Sequence, residues 1–144
     1  MATLDEAEIR RQIDKLVAAI RNADLEAMKP LYAADVVSFD AGPRLQDVGI
    51  AAKLNNWSEA FRFFEHPIGV EMRDVEITVV GDMAFGHGFN RLSGTLKNGT
   101  QVGGFWVRAT YCLRKIDGGW VIVHDHVSAP MDPGSGKAML NLEP

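Results

Sequence analysis

The sequence predicts an α+β fold, with N-terminal helices packed on one face of a curved, mostly antiparallel sheet. Three observations lead there. Apolar residues recur at helical spacing through the first third of the chain. From residue 69 onward the spacing changes to the two-residue alternation of strands. Three turn signals, Gly81-Asp82, Lys97-Asn98-Gly99 and Asp117-Gly118-Gly119, cut that β-rich part into hairpins.

The elements follow in order. Thr3-Leu4-Asp5-Glu6 has the form of a capping box, and Ile9, Ile13, Leu16, Val17 and Ile20 form an apolar stripe, so a helix is predicted over 4–22. Asp24 suits the N-cap of a second, shorter helix carrying Leu25, Met28 and Leu31. Pro30 lacks the N–H that helix would need and should kink or shorten it. Val36 to Asp40 reads as a short strand closed by Ala41-Gly42-Pro43. A third helix is predicted over 49–64, ending among Trp57, Phe61, Phe63 and Phe64. Strand patterns cover 70–80, 83–95, 101–115 and 119–128, and the tail 129–144 should wrap over the surface.

Composition narrows the function classes. At 144 residues, 47% apolar and 24% charged, one domain over residues 1–144 can bury a core without disulfides or metal. A net charge of −4 gives no basic footprint for nucleic acid. No apolar stretch has the length of a membrane span. The N-terminal segment, charged from residue 5, does not read as a secretory signal. The lone Cys112 lies in a strand pattern and reads as a structural thiol compatible with a reducing compartment. A cytoplasmic protein is the expectation.

The last strand carries the chemistry-bearing pattern. Strict alternation places Ile122, His124, His126 and Ser128 on one face, and Val121, Val123, Asp125 and Val127 on the other. Two imidazoles and a hydroxyl on one side suggest the wall of a polar cavity, with Asp125 facing outward. His-x-His also raises metal binding, with His87 or Asp40 completing a facial triad. Only Glu143 follows the pair as a glutamate, so no metal is expected. Gly86-His87-Gly88 and Gly103-Gly104 open no helix with Lys-Ser/Thr and are not phosphate loops. Ser128 lacks a G-x-S-x-G elbow, which argues against a serine hydrolase.

The order of elements, with the segments ADLEAMKPLYAADVVSFDAG (23–42) and KIDGGWVIVHDHVS (115–128), resembles the SnoaL-like and ketosteroid isomerase-like proteins of the nuclear transport factor 2-like superfamily. The resemblance spans nearly the whole chain. It implies a cone-shaped α+β barrel enclosing a pocket, commonly dimeric through the outer sheet face. Its motifs specify the fold more than the chemistry. By the resemblance the isomerase base falls on Asp40, the helix-borne tyrosine on Leu16, which has no donor, and a second donor near Thr110 or Tyr111. The isomerase itself serves as a general illustration of a proton moved beside a carbonyl under an oxyanion hole. With Leu16 in the tyrosine position, steroid isomerisation by that route is not expected.

The same resemblance sets which strand residues face the pocket: Phe85, His87, Phe89 and Arg91; Trp106, Arg108 and Thr110; His124, His126 and Ser128. The complementary face, Gly86, Gly88, Val107, Ala109, Val121 and Val123, would suit burial against a second subunit. A one-residue error inverts the whole assignment. The expected catalytic pair is Asp40 as base with His126 as shuttle or orienting partner, and Arg108 stabilising an oxyanion. Trp57, His87, Phe89, Arg91, Trp106, His124 and Ser128 would complete the substrate site. Alternatively Arg108 pairs internally with Asp40 or Glu71, and the histidines are structural. The expected function is cofactor-independent acid–base chemistry, as in an isomerase, cyclase, dehydratase or hydrolase, on a small, partly hydrophobic carbonyl or carboxylate compound. A non-catalytic ligand-binding or dimerisation module is the alternative.

Overall fold

The computed structural model describes residues 3–144, so Met1 and Ala2 of the expected domain lie outside it. Helix α1 (Leu4–Arg21) starts where the Thr3 hydroxyl accepts the Glu6 N–H at 3.0 Å. The reciprocal half of the capping box does not form, because the Glu6 carboxylate turns to Arg10 instead. Asp24 caps the four-residue helix α2 (Leu25–Met28) through the Ala27 N–H. Pro30 then tightens the chain into a 3₁₀ turn, Lys29–Leu31. Helix α3 (Ile50–Phe61) ends three residues before the sequence predicts, leaving Phe63 exposed.

The strands are β1 (Tyr32–Phe39), β2 (Asp47–Val48), β3 (Gly69–Val80), β4 (Met83–Thr95), β5 (Gln101–Val102), β6 (Trp106–Ile116) and β7 (Gly119–Ser128). The strand predicted over 101–115 is thus broken near Gly104, whose φ of +70° suits glycine. The sheet runs β2-β1-β7-β6-β4-β3, with β5 added to β4. All pairs are antiparallel except β1 with β7. The sheet curls into a half-barrel, and the apolar stripe of α1 (Ile9, Ile13, Leu16, Ile20) packs in its hollow with Leu113, Trp120 and Ile122. Each such buried aliphatic side chain contributes roughly 1.5–3 kcal/mol.

Two bulges decide which way side chains point. The β6–β7 register steps from Cys112↔His124 to Leu113↔Ile122, so Val123 is the extra residue. Before it Trp120 and Ile122 are buried inward; after it the inward phase passes to Asp125, which is 3% exposed, and Val127. Ile122 therefore does not share a face with His124, His126 and Ser128. On β3 the register shifts between Arg73 and Glu76, with Asp74 at φ +55°. There β3 closes so tightly on β4 that a Cβ at Gly88 would lie 3.0 Å from the Arg73 carbonyl oxygen.

The expected orientation of the sheet is accordingly inverted. Ala84, Gly86 and Gly88 of β4, and Ala109, Tyr111 and Leu113 of β6, are buried in the inward phase, while Trp106 of β6 is buried from the other side. Phe85, His87, Arg108 and Thr110 are exposed on the outside. The small residues therefore mark the inner side of a sharp bend, rather than a flat face against another subunit. Of the six residues assigned outward, Val107 lines the interior cavity, and Val121 keeps the outer phase opposite buried Trp120 and Ile122. Among the described residues no helix is long and apolar enough to cross a membrane.

Candidate active site

The half-barrel and its helices enclose a cavity of about 290 Å³. Its apolar lining comes from α1 (Leu16, Val17, Ile20), α3 (Trp57, Ala60) and the inner sheet face (Val70, Met72, Leu92, Val107, Val127). Polar groups enter from β1 and the turn after it (Tyr32, Asp40), α3 (Lys53, Asn56), β4 (Asn90), β6 (Tyr111) and β7 (Asp125). Asp40, Lys53 and Asp125 are the charged residues of that lining among the described residues.

These three form one cluster around the Lys53 ammonium. Lys53 Nζ lies 2.8 Å from Ser38 Oγ, 3.1 Å from Asp40 Oδ1 and 3.1 Å from Asp125 Oδ2. Three N–H donors thus meet three acceptors. Ser38 Oγ in turn hydrogen-bonds Asp125 Oδ1. Lys53 is 2% exposed and Ser38 0%, so the ammonium and Asp125 are withdrawn from water and depend on one another. Asp40 is less enclosed. Its Oδ2 accepts from Asn56 Nδ2 at 2.8 Å and lies within 3.3 Å of both Ser38 Oγ and Lys53 Nζ, whereas Oδ1 meets only Lys53. Asn56 is steadied by Arg44, whose guanidinium reaches Asn56 Oδ1 at 2.8 Å and Asp47 at 3.0 Å.

Neutral donors and acceptors complete the lining. Asn90 Nδ2 donates to the Tyr111 hydroxyl at 2.7 Å, while Asn90 Oδ1 is buried without a hydrogen-bond partner. Trp57 Nε1 is likewise buried without one, although it approaches the Tyr32 hydroxyl closely enough to influence it. Burial pushes the Tyr111 phenol up to about 12. Burial, and then the negative charge of Asp125, push Tyr32 well above the ordinary phenol range. Both tyrosines therefore keep their protons and can donate hydrogen bonds.

Of the residues expected at the site, Asp40 and Trp57 line this cavity, as does Tyr111 of the two donor positions that the resemblance offers. The others lie outside it. His87 is exposed, 3.8 Å from Glu76. Phe89 is the register partner of Arg73 and Arg108 on the outer face. Arg91 pairs with Glu71 at 2.6 Å, and Arg108 donates to Ser128 Oγ at 3.2 Å. Trp106 is buried, but from outside: the Arg91 guanidinium stacks over its ring at 4.8 Å, and its N–H donates to Glu143 of the tail. His124 donates from Nδ1 to the Val37 carbonyl, and both His124 and His126 meet the edge of Phe39, at 4.7 and 5.4 Å. Asp40 and His126 come together only along a separate outer cleft, which Phe39, Arg44 and Ser128 also line. No group of three His, Cys, Asp or Glu side chains is disposed to hold a metal among the described residues.

Lys53, Ser38, Asn56, Asn90 and Asp125, in or beside the cavity lining, are not singled out by the sequence reading, although two of them carry a signal. Lys53 falls on the helical stripe Ile50, Leu54, Trp57, Phe61, where a lysine is out of place. Asp125 interrupts the aliphatic alternation Val121, Val123, Val127. An ionisable residue set into an apolar face points to a buried partner.

Comparison with known proteins agrees with this architecture. No curated protein is recognisably similar in sequence. A crystal structure of an NTF2-like protein of unknown function from Pseudomonas putida KT2440 is 32% identical, with a TM-score of 0.88, and the match covers 100% of this chain and 99% of that one. A protein provisionally named scytalone dehydratase from Novosphingobium aromaticivorans shares the fold at a TM-score of 0.79 and 15% identity, over 89% of this chain and 85% of that one. So does a provisionally named dehydratase of the NTF2-like family from Streptomyces avermitilis, at 0.76 and 22%, over 89% and 97%. The SnoaL-like domain family matches residues 9–132, and with the curled sheet and enclosed cavity this establishes that the chain belongs to the SnoaL-like family of the nuclear transport factor 2-like superfamily.

Proposed function

We propose that the protein is a cofactor-independent acid–base enzyme that removes a proton beside the carbonyl of a small, mostly apolar compound, as isomerases, cyclases and dehydratases do. One observation carries the reading: Asp40 lines both the enclosed cavity and the outer cleft, held in place by Lys53 and Asn56. Oδ1 has one protein donor and keeps a lone pair for a substrate proton. Tyr111, whose phenol burial pushes up to about 12, keeps its proton at neutral pH and can donate to the oxygen on which negative charge develops. Lys53 has its three N–H groups committed to Ser38, Asp40 and Asp125, so it serves as a fixed counter-charge rather than a nucleophile. The proton leaves Asp40 toward the outer cleft, where His126 lies. Arg108, on the outer face, takes no part in oxyanion stabilisation. The dehydratase names of two proteins alike in fold accord with chemistry that begins by proton abstraction.

The test is hydrogen–deuterium exchange beside the carbonyl of small aromatic ketones in D₂O, followed by NMR. Asp40→Asn should slow the catalysed exchange by roughly 10²–10⁴-fold while leaving the fold and ligand affinity intact. Exchange at the wild-type rate in that variant would rule out Asp40 as the base. A wild-type protein that binds such ketones without exchanging them would be a binding module.

A further inference from the structure

The cavity carries more information about its ligand than the position of a base. Its charged lining consists of two carboxylates, Asp40 and Asp125, and one ammonium, Lys53, which leaves one negative charge in excess. The guanidinium groups that could balance an anionic ligand lie elsewhere: Arg91 is bound to Glu71 outside, and Arg108 to Ser128. A ligand carboxylate would enter a site already overcharged in its own sign, with no uncommitted cation in the described lining to meet it. The cavity also holds unused neutral groups. Asn90 Oδ1 is an acceptor without a donor, and Trp57 Nε1 is a buried donor near the Tyr32 hydroxyl that makes no well-formed hydrogen bond. A buried polar atom without a partner is costly, so it favours a ligand that brings one.

We infer that the site takes an uncharged ligand carrying both a carbonyl-type acceptor and a hydroxyl-type donor on an apolar frame, and that it discriminates against carboxylates. Trp57 and Tyr111 address the acceptor, and Asn90 addresses the donor. This rests on the function proposed above only in assigning the carbonyl to the reacting end; the charge argument holds for a binding protein as well. It also narrows the compound class suggested by sequence, because the arginines that would have held a carboxylate face outward.

Calorimetric or NMR titration with three compounds of similar outline tests it. These are 4-hydroxyacetophenone, uncharged with donor and acceptor; acetophenone, without the donor; and 4-hydroxybenzoate, anionic at neutral pH. The hydroxyketone should bind at least tenfold more tightly than the benzoate, and Asp40→Asn should narrow that gap by removing the excess charge. Asn90→Leu should weaken the hydroxyketone by a clearly larger factor than acetophenone, whose only loss is the support Asn90 gives the Tyr111 hydroxyl. Trp57→Phe should weaken both ketones. Benzoate binding as tightly as the hydroxyketone, an unaffected Asn90→Leu variant, or no measurable binding of either ketone at millimolar concentration would each overturn the inference. Preferential hydroxyketone binding without catalysed exchange would overturn the proposed chemistry and leave the ligand class standing; exchange accompanied by a preference for the benzoate would do the reverse.

Discussion

The two faces of the sheet are built from alternate residues of the same strands, yet they treat charge in opposite ways. Outside, charges are numerous and loosely arranged: Arg91 with Glu71, Arg108 with Ser128, His87 with Glu76, all in contact with solvent. Inside, the described cavity lining carries three charges, Asp40, Lys53 and Asp125, tied together through Lys53 and Ser38. Water does the neutralising on the convex face, so partners there are optional. On the concave face the protein must supply every partner itself, which makes the arrangement specific and places Asp40 in one orientation. A residue's chemical type is therefore less informative here than the face it occupies. Histidine and arginine, whose side chains suit proton transfer and anion binding, are on the side where they are easily accommodated.

The contrast can be broken most severely at Lys53. Replacing it with Met leaves Asp40 and Asp125 facing one another without a cation, and should lower stability by about 3–5 kcal/mol. Urea unfolding would read this as a drop in the midpoint, and adding Asp125→Asn should restore part of it. Arg91→Ala, which breaks an ion pair on the other face, should cost no more than about 1 kcal/mol in the same assay. A Lys53→Met variant as stable as the wild type would mean that the interior cluster is no more demanding than the exterior pairs.

A second test uses Tyr111, which the same enclosure affects. Its folded-state value of about 12 exceeds that of an ordinary phenol, 10.0, so the neutral form is favoured by folding. That contribution is fully present below pH 10 and is lost as the pH rises toward 12, amounting to about 3 kcal/mol over the two units. Unfolding followed across this window should show the loss, and Tyr111→Phe should make it shallower, leaving the part that the raised Tyr32 contributes. An unchanged pH profile in the variant would assign the alkaline instability elsewhere.

The smallest effects are expected outside. Arg108→Ala and His126→Gln should change stability by no more than about 0.5 kcal/mol, as befits exposed positions. Catalysed exchange should fall far less in either variant than in Asp40→Asn. A loss in Arg108→Ala as large as that of Asp40→Asn would return the arginine to the reacting centre and undo the distinction between the two faces.

The fold was legible because it depends on patterns that few residues can spoil. The stripe Ile9, Ile13, Leu16, Ile20 can bury only as a helix, and Asp24 and Pro30 mark where the second helix starts and tightens. Of the cavity lining, Asp40 was legible through the family resemblance, which puts a base at the residue closing the first strand, and Trp57 through the aromatic cluster at the end of the third helix. The remainder was lost to phase. Alternation gives two faces without saying which is inner, and Val123 shifts the phase of β7 midway, separating Ile122 from His124 and turning Asp125 inward. Gly86 and Gly88 fit a flat subunit contact or a tight bend equally well in one dimension. Only the close approach of β3 distinguishes them.

Sequence alone thus determined the class of fold and the order of its elements, since each follows from interactions within a few turns or a few residues; Asp40 was reached only through the family resemblance. Tertiary structure decided the orientation of the sheet and the partners of that carboxylate. Those depend on two bulges and on Lys53, Ser38 and Asp125 meeting from three separate elements. Contacts between residues as far apart as Ser38 and Asp125 arise from how the chain closes, and local periodicity carries no record of that closure.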